Sequence, residues 1–442
     1  MSWGFETDPD FQAELDWADE FVRTEVEPID LLLDHAWDVT DPVRNALVGP
    51  LQDVVRDHKL WGCHLGPELG GPGYGQLKLA LLNEILGRSH SAPVVFGCQA
   101  PDSGNAEILA HYGTPELKER YLEPLIAGEV MSAYSMTEPR GGSDPTGFVT
   151  QAVLDGDYWV IDGEKWFSSH ARFSAFLVVM AVTDPEAAPH ARASMFIIPS
   201  DTPGIEIVRN VGVWGHDEAT HAYIRYHGVR IPKDHLLGER GGGFAVAQTR
   251  LGGGRIHHAM RTVGLVTTAL DMMCERVVSR RTRGQQLGDF QLVQEMLADS
   301  WVQLEQFRLL VLQTAWKIDR YNDYRKVTRD ISAVKAAMPK VLSDITGRAI
   351  QIHGSLGIST EMPFGKWVLE SYHMGLADGA TELHKVQVAK QLLRGREANP
   401  DLFPSGHLPA RAEAARQKYA VVLAQVEAHV DAPVDSRVET RA

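Results

Sequence analysis

Asp155-Gly-Asp-Tyr-Trp-Val-Ile-Asp-Gly163 decides the fold class of this chain. Two Asp-Gly pairs, Asp155-Gly156 and Asp162-Gly163, bracket the apolar run Tyr158–Ile161. Asp-Gly flanked by apolar residues signals a hairpin, because both central positions of the favoured turn take positive φ. Working outward, Ala175–Val182, Ser194–Ile198, Ile205–Val211 and His221–Ile231 also read as strands. The stretch 133–242 is therefore expected to be an all-β insert of sandwich or barrel type.

Both flanks read as helix. Upstream, Asp10 can cap a segment in which Leu15, Ala18, Phe21, Val22 and Val26 share one face. Asp41-Pro42 places a cap before a first-turn proline, with Leu47, Leu51, Val54 and Val55 as the stripe. Thr114-Pro115 repeats the device; Leu117, Tyr121, Leu122, Leu125 and Ile126 face inward, and Gly128 ends the helix. Downstream, long helices are expected near 243–279, 288–322, 327–353 and 382–395, with a shorter piece before 376, and short loops between them suggest a bundle. The chain divides into an N-terminal helical domain (1–132), a middle β-domain (133–242), a C-terminal helical bundle (243–400) and an extension (401–442). An Ala-rich segment near 408–430 is an accessory helix or a frayed tail. Helices, then strands, then helices make a mainly α protein with a β-insert, not a doubly wound α/β fold.

The 442 residues exceed what one core usually organises. A net charge of −15 disfavours nucleic acid as a partner, because phosphate contact needs a basic surface. Cys63, Cys98 and Cys274 lack metal-ligand spacing and read as buried small hydrophobes in a reducing compartment. Met1–Glu6 carries neither a basic nor an apolar leader segment, no apolar run spans a bilayer, and the C-terminal Glu-Thr-Arg-Ala is no targeting signal. These features point to a cytoplasmic protein with no membrane partner.

Generic motifs exclude several classes. Gly241-Gly-Gly243 and Gly252-Gly-Gly254 lack Rossmann spacing, and there is neither a P-loop nor a nucleophile elbow. His257 and His258 diverge by about 100° on a helix and cannot chelate one metal, so no metal site is expected. They are read as surface or packing residues.

Three segments carry candidate chemistry. Tyr134-Ser-Met-Thr-Glu-Pro-Arg-Gly-Gly-Ser-Asp144 is dense in hydroxyls and glycines where helices give way to strands. It is a polar loop capping the β-region or a cofactor cradle. Gly163-Glu-Lys-Trp-Phe-Ser-Ser169 sets a Trp beside serines: core packing, or a face for a flat ring with a hydroxyl at its edge. Gly375-Leu-Ala-Asp-Gly-Ala-Thr-Glu382 lies between two helices and is an Asp-Gly turn or a site loop.

Together these segments resemble the signatures of the acyl-CoA dehydrogenase family. Thr137-Glu-Pro139 with Gly142-Ser-Asp144 resembles its first signature, and Gly163–Ser169 the Trp strand that covers the flavin. Pro67–Gly71, Gly113–Leu122 and Gln351-Ile-His-Gly354 resemble further motifs, in order over about residues 10–395. Arg250-Leu-Gly-Gly-Gly-Arg-Ile-His-His258 and Leu376-Ala-Asp-Gly379 look most like the branch of family members ten and eleven.

The resemblance implies an FAD enzyme that oxidises an acyl-CoA to the trans-2-enoyl-CoA and passes electrons to an electron-transferring flavoprotein. It places Asp378 as the base for the α-proton, where the family usually has Glu; the carboxylate then reaches about 1.5 Å less. The N–H of the same residue polarises the thioester carbonyl. Thr137 and Ser168 are expected to hydrogen-bond the flavin ring, Trp166 to pack on it, and Tyr134 and Met136 to line the same wall. Gly142 and Ser143 belong to the flavin or CoA phosphate contact, and Arg255 and Gly379 to the substrate side. Arg280, Gln291, Gln351 and Gly354 resemble contacts to the nucleotide part of FAD, Arg280 on a neighbouring subunit, which implies a homodimer or homotetramer. Glu382 takes a flavin-contact position where Gln is frequent; Ala380 replaces a frequent Thr, Arg283 a frequent Phe, and Gly252 a frequent Asp. An acyl-CoA oxidase using O2 and a DNA-binding flavoprotein of the alkylation-response branch are the alternatives. His257, His258, Arg261 and His373 are either a polar pocket or surface residues, and are read as surface.

Overall fold

The computed structural model describes residues 6–33, 35–214 and 219–430. The chain ends read above for targeting signals fall largely outside them.

The N-terminal region holds α1 (Pro9–Phe21), α2 (Pro42–Asp57), α3 (Gly75–Leu86), short α4 (Ala92–Val95) and α5 (Asp102–Tyr112). Then α6 (Pro115–Leu117) passes through a π-helical turn into α7 (Glu123–Ala127). The cap of α1 is Asp8, whose carboxylate accepts from the Phe11 N–H, and Pro9 takes the first position. Asp10, the expected cap, lies inside the helix. Asp41 and Thr114 cap as expected, and Gly128 ends α7 at φ 76°. The inner face of α2 is rotated from the expected stripe: Val48, Gln52 and Val55 are buried, and Val54 is exposed. Polar side chains with partners compete for that face, since Arg44 donates to the Ala36 carbonyl and Gln52 to that of Val94.

The middle region comprises β1 (Ser132–Ser135), β2 (Gln151–Asp155), β3 (Tyr158–Ser169), β4 (Phe176–Val182), β5 (Ala193–Pro199), β6 (Ile205–Gly212), β7 (Ala219–Pro232) and β8 (Leu236–Leu237). The sheet order is β6-β7-β3-β2-β4-β5-β8, with β1 parallel to β4. Only Gln151↔Val182 joins β2 to β4. Trp159 and Ile161 of β3 share one core with Leu177 and Val179 of β4 and with Phe196 of β5. The two halves therefore fold against each other, as a sandwich requires.

The first Asp-Gly pair forms its hairpin with Gly156-Asp157 as the two-residue loop, and only Gly156 has positive φ, at 62°. The second pair is no turn. β3 runs through it, with a register shift against β7 between Ile161 and Gly163. Gly163 sits at φ 145°, and a β-carbon there would lie 2.7 Å from Thr150. Asp162-Gly163 is thus a bulge at a close strand crossing.

In the C-terminal region α8 (Gly243–Ser279) is followed by a small hairpin, β9 (Arg281–Thr282) with β10 (Gln285–Gln286), then α9 (Gln291–Tyr321) and α10 (Tyr324–His353). These three long helices pack together; α11 (Phe364–Leu376) lies along α10, and α12 (Thr381–Leu393) buries only His384. From Lys390 the chain forms a second unit. There α13 (Leu408–Lys418) and α14 (Ala420–Val430) break at Tyr419, and their described side chains are exposed. A core shared by α5, α7, β4, β5 and the start of α8 joins the helical regions to the sheet. Cys63 and Cys98 are buried as expected, whereas Cys274 is exposed on α8. No helix among the described residues is long and apolar enough to cross a membrane.

Candidate active site

A buried ion pair ties the first two candidate segments together. Glu138 accepts from the Val149 and Thr150 N–H groups at 2.8 and 2.9 Å and from Lys165 Nζ at 2.9 Å. Lys165 also donates to the Met136 carbonyl at 2.8 Å, and the Trp166 N–H to that of Thr137 at 2.8 Å. Thr137 and Trp166 are thereby held side by side at the end of β1. Gly142 leaves Thr137 open, since a β-carbon there would press on its methyl at 3.3 Å. Sequence reasoning passed over Glu138 and Lys165; the available signal was one opposite charge in each motif.

Trp166 and Thr137 are half-buried, while Ser143 is exposed in the same loop. An aromatic face, a hydroxyl and an open glycine loop fit the ring of a flavin. Ser168 does not share that face. It is fully buried, with its hydroxyl 2.7 Å from Ser135 Oγ, which also meets Tyr226. The register shift between Lys165 and Ser168 turns both inward. Ser169 is the half-buried serine, bonded to His221 Nδ1 at 2.8 Å.

Asp378 lies in the turn between α11 and α12 at φ 54°, a left-handed conformation unfavourable for a residue with a side chain. Arg255 Nε holds its carbonyl at 2.9 Å, and His384 Nε2 lies 3.4 Å from the same oxygen. Gly379, at φ 104°, leaves room for that imidazole, which a β-carbon would meet at 3.1 Å. Burial pushes the Asp378 carboxyl up, but His258, Arg250, Arg255 and Lys335 together hold it below the usual range. Tyr134, under the Arg250 guanidinium at 3.8 Å, is half-buried, and loss of solvent around its phenol pushes it to about 12. Its hydroxyl donates to Met136 Sδ at 3.4 Å, so Tyr134 and Met136 line one wall.

Three successive glycines of α8 face three neighbours, and Gly254 alone faces this turn. A β-carbon on Gly252 would touch the Tyr324 ring at 3.4 Å, on Gly253 the Glu107 carboxylate at 3.2 Å, and on Gly254 Asp378 Oδ2 at 3.2 Å. Gly254 also lines a cavity of about 620 Å³ between α3, α5 and α8, together with His64, Gln76, Glu107, His257 and Tyr324. Glu107 is pushed to about 7 by burial, and neither ring nitrogen of half-buried His64 has a hydrogen-bond partner. His257, His258, Arg261 and His373 are not surface residues: all four are half-buried. α3, α5, α9 and α10 all pack against α8. Arg261 donates to Asn83 and to the Cys98 carbonyl, His257 meets Gln76 at 3.2 Å, and His373 pairs with Glu370 at 3.2 Å.

The remaining candidates stand elsewhere. Arg280 caps α8, Gln291 starts α9, and Gln351 and Gly354 end α10, all exposed at one end of the bundle. From Gly254 to Arg280 α8 rises about 39 Å, at 1.5 Å per residue. These residues and Asp378 therefore do not surround one spot on one chain. Glu382 is exposed in the first turn of α12. Among the described residues no His, Cys, Asp and Glu cluster could hold a metal ion.

A helical–β–helical fold whose aromatic and hydroxyl groups fit a flavin ring, with a half-buried carboxylate, points to a flavin-dependent oxidoreductase. Comparison with known proteins is more specific. The acyl-CoA dehydrogenase N-terminal, middle and C-terminal domain models match residues 8–129, 133–229 and 241–393. The probable acyl-CoA dehydrogenase FadE2 of Mycobacterium tuberculosis is 40% identical over 78% of this chain and 85% of its own. Acyl-CoA dehydrogenase family member 11 of Rattus norvegicus is 36% identical over 79% of this chain, which spans 45% of that longer protein. A solved Mycobacterium abscessus structure assigned to the acyl-CoA dehydrogenases superposes with a TM-score of 0.81 at 36% identity, over 88% of this chain and 99% of that one. The chain belongs to the acyl-CoA dehydrogenase family, whose members are FAD-dependent oxidoreductases acting on acyl-CoA thioesters.

Proposed function

We propose that this chain converts an acyl-CoA to the trans-2-enoyl-CoA, with Asp378 taking the α-proton. One observation carries the reading: a half-buried carboxylate, pinned through its own carbonyl by Arg255, faces Gly254 of α8, which also lines the cavity. Bound FAD supplies the acceptor for the β-hydride at its N5. Thr137, Gly142 and Trp166 hold the ring, with Tyr134 and Met136 as the adjoining wall and Ser143 toward the phosphates. Ser168 supports that face from inside the sheet, and Ser169 takes its expected place at the surface. Arg255 and Gly379 set the Asp378 N–H toward the thioester carbonyl. Glu382 reaches the flavin from α12, and Arg280, Gln291, Gln351 and Gly354 serve the nucleotide part of the FAD on a neighbouring subunit.

The cavity takes the acyl tail. Its volume suits a chain of moderate length. Glu107, His257 and Gln76 make it polar, so a tail carrying an uncharged hydrogen-bonding group fits better than a plain alkyl chain. Electrons pass to an electron-transferring flavoprotein; an oxidase would release peroxide instead.

An anaerobic absorbance titration tests the reading. Acyl-CoAs matched in length, with and without a hydroxyl, are added to the yellow protein. The oxidised band is expected to bleach in wild type, most with the hydroxylated thioester, and to persist in Asp378→Asn. Protein without a flavin band, or equal bleaching in the variant, removes the assignment.

A further inference from the structure

Asp378 faces an imidazole. His258 follows Gly254 by one turn of α8, and its Nε2 lies 3.6 Å from Asp378 Oδ2. That gap is just beyond a hydrogen bond, and one shared proton with a small side-chain movement closes it. The two side chains are only 25% and 18% exposed, so a charge on one acts strongly on the other. α8 fixes both partners, since Arg255 pins Asp378 from the same helix that carries His258.

A free aspartate is about 2.6 units less basic than a free imidazole, a margin that burial of His258 narrows here without closing it. The cations around Asp378 make it weaker: Arg250 and Arg255 from α8 and Lys335 from α10. The imidazole offers the proton a better seat. Burial holds His258 near 4, so the ring is neutral at neutral pH and open to protonation. Arg261 on its own helix, Lys335 on α10 and His373 on α11 press the same way, and Asp378 opposes them.

We propose that His258 receives the α-proton from Asp378, so that the base of this enzyme is an Asp–His pair. This rests on Asp378 being the base. The substrate Cα–H bond breaks and the proton joins a carboxylate oxygen of Asp378. The electron pair left behind becomes the α,β double bond as the β-hydrogen departs as hydride to the flavin. The proton then moves from Asp378 Oδ2 to His258 Nε2. Asp378 is again an anion, beside a newly formed imidazolium, in place of a neutral acid among cations.

Rapid-mixing reduction of the holoenzyme by its best acyl-CoA tests this, with His258→Gln, His258→Leu and Asp378→Asn beside wild type. Glutamine keeps the size and can hydrogen-bond the carboxylate, but it takes no proton. Both His258 variants are expected to lose about 100-fold in the limiting reduction rate. Acyl-CoA affinity should change less than about threefold. In His258→Leu the acid limb of the rate profile should move to higher pH, because burial then acts on Asp378 with one opposing group fewer. Flavin content and melting temperature report folding, and if the leucine variant takes up no flavin the glutamine variant decides. Full rate in His258→Gln, or a loss confined to affinity, overturns the transfer. Full rate in Asp378→Asn instead removes the base assignment beneath it.

Discussion

At the scale of single residues, the bare rib of α8 is the most informative feature. Each glycine in a helix interior costs roughly 1 kcal/mol relative to alanine, and Gly252, Gly253 and Gly254 stand in succession. Glu107 and Asp378 account for two of them, because a β-carbon on Gly253 or Gly254 would crowd a carboxylate at 3.2 Å. Gly254→Ala separates stability from function. The added methyl stands 3.2 Å from Asp378 Oδ2, where an aspartate already in a left-handed turn has little freedom to retreat. The melting temperature is expected to hold or rise, while flavin reduction by acyl-CoA falls at least about tenfold. Unchanged reduction in a calorimetrically sound variant would mean that substrate and base do not meet at this rib.

At the scale of elements, the Glu138–Lys165 pair joins the loop after β1 to β3 and so sets Thr137 against Trp166. Burial alone would raise the Glu138 carboxyl; Lys165 and the two amides more than offset this and hold it below its usual value. A depressed folded-state pKa adds stability above the ordinary carboxylate value near 4.5, lost as pH falls through the lower folded value. Glu138→Gln strands a buried ammonium and is expected to cost about 3–5 kcal/mol at pH 7. The difference from wild type should shrink below about pH 4.5. Urea titrations at pH 7 and pH 4 measure it, and a gap that stays constant would show that the carboxylate charge is not what holds the loop. FAD content should fall with the variant, because the cradle and the pair are one construction.

At the scale of the whole molecule, the candidate flavin contacts occupy two places. Asp378 and the Thr137–Trp166 cradle belong to one region, and Arg280, Gln291, Gln351 and Gly354 to the opposite end of the long helices. On the proposed reading, a second copy would bring its own bundle end to the first copy's cofactor. Arg280→Ala is therefore expected to weaken FAD retention about tenfold, the loss of one charge-assisted contact, while leaving the Asp378 region intact. Light scattering of the yellow protein should give a dimer or tetramer. A monomer that retains FAD fully, with or without Arg280, would place these four residues outside the cofactor site.

Period and turn chemistry are local, and the sequence alone therefore sufficed for the helix–strand–helix order, the caps at Asp41 and Thr114, and the placing of strands β4 to β7. The ordered motifs likewise sufficed for Asp378, Thr137 and Trp166 as candidates. Local patterns failed where packing chose between two locally equal answers. Asp162-Gly163 satisfies turn chemistry as well as Asp155-Gly156 does, but Thr150 crosses it and makes it a bulge. Ser168 and Ser169 are interchangeable as letters, and one register shift decides which hydroxyl is buried. His257 and His258 read as surface because a helix shows its own period and not its neighbours. α3, α5, α9 and α10 pack around that helix, and only the folded chain sets an imidazole 3.6 Å from the carboxylate of Asp378.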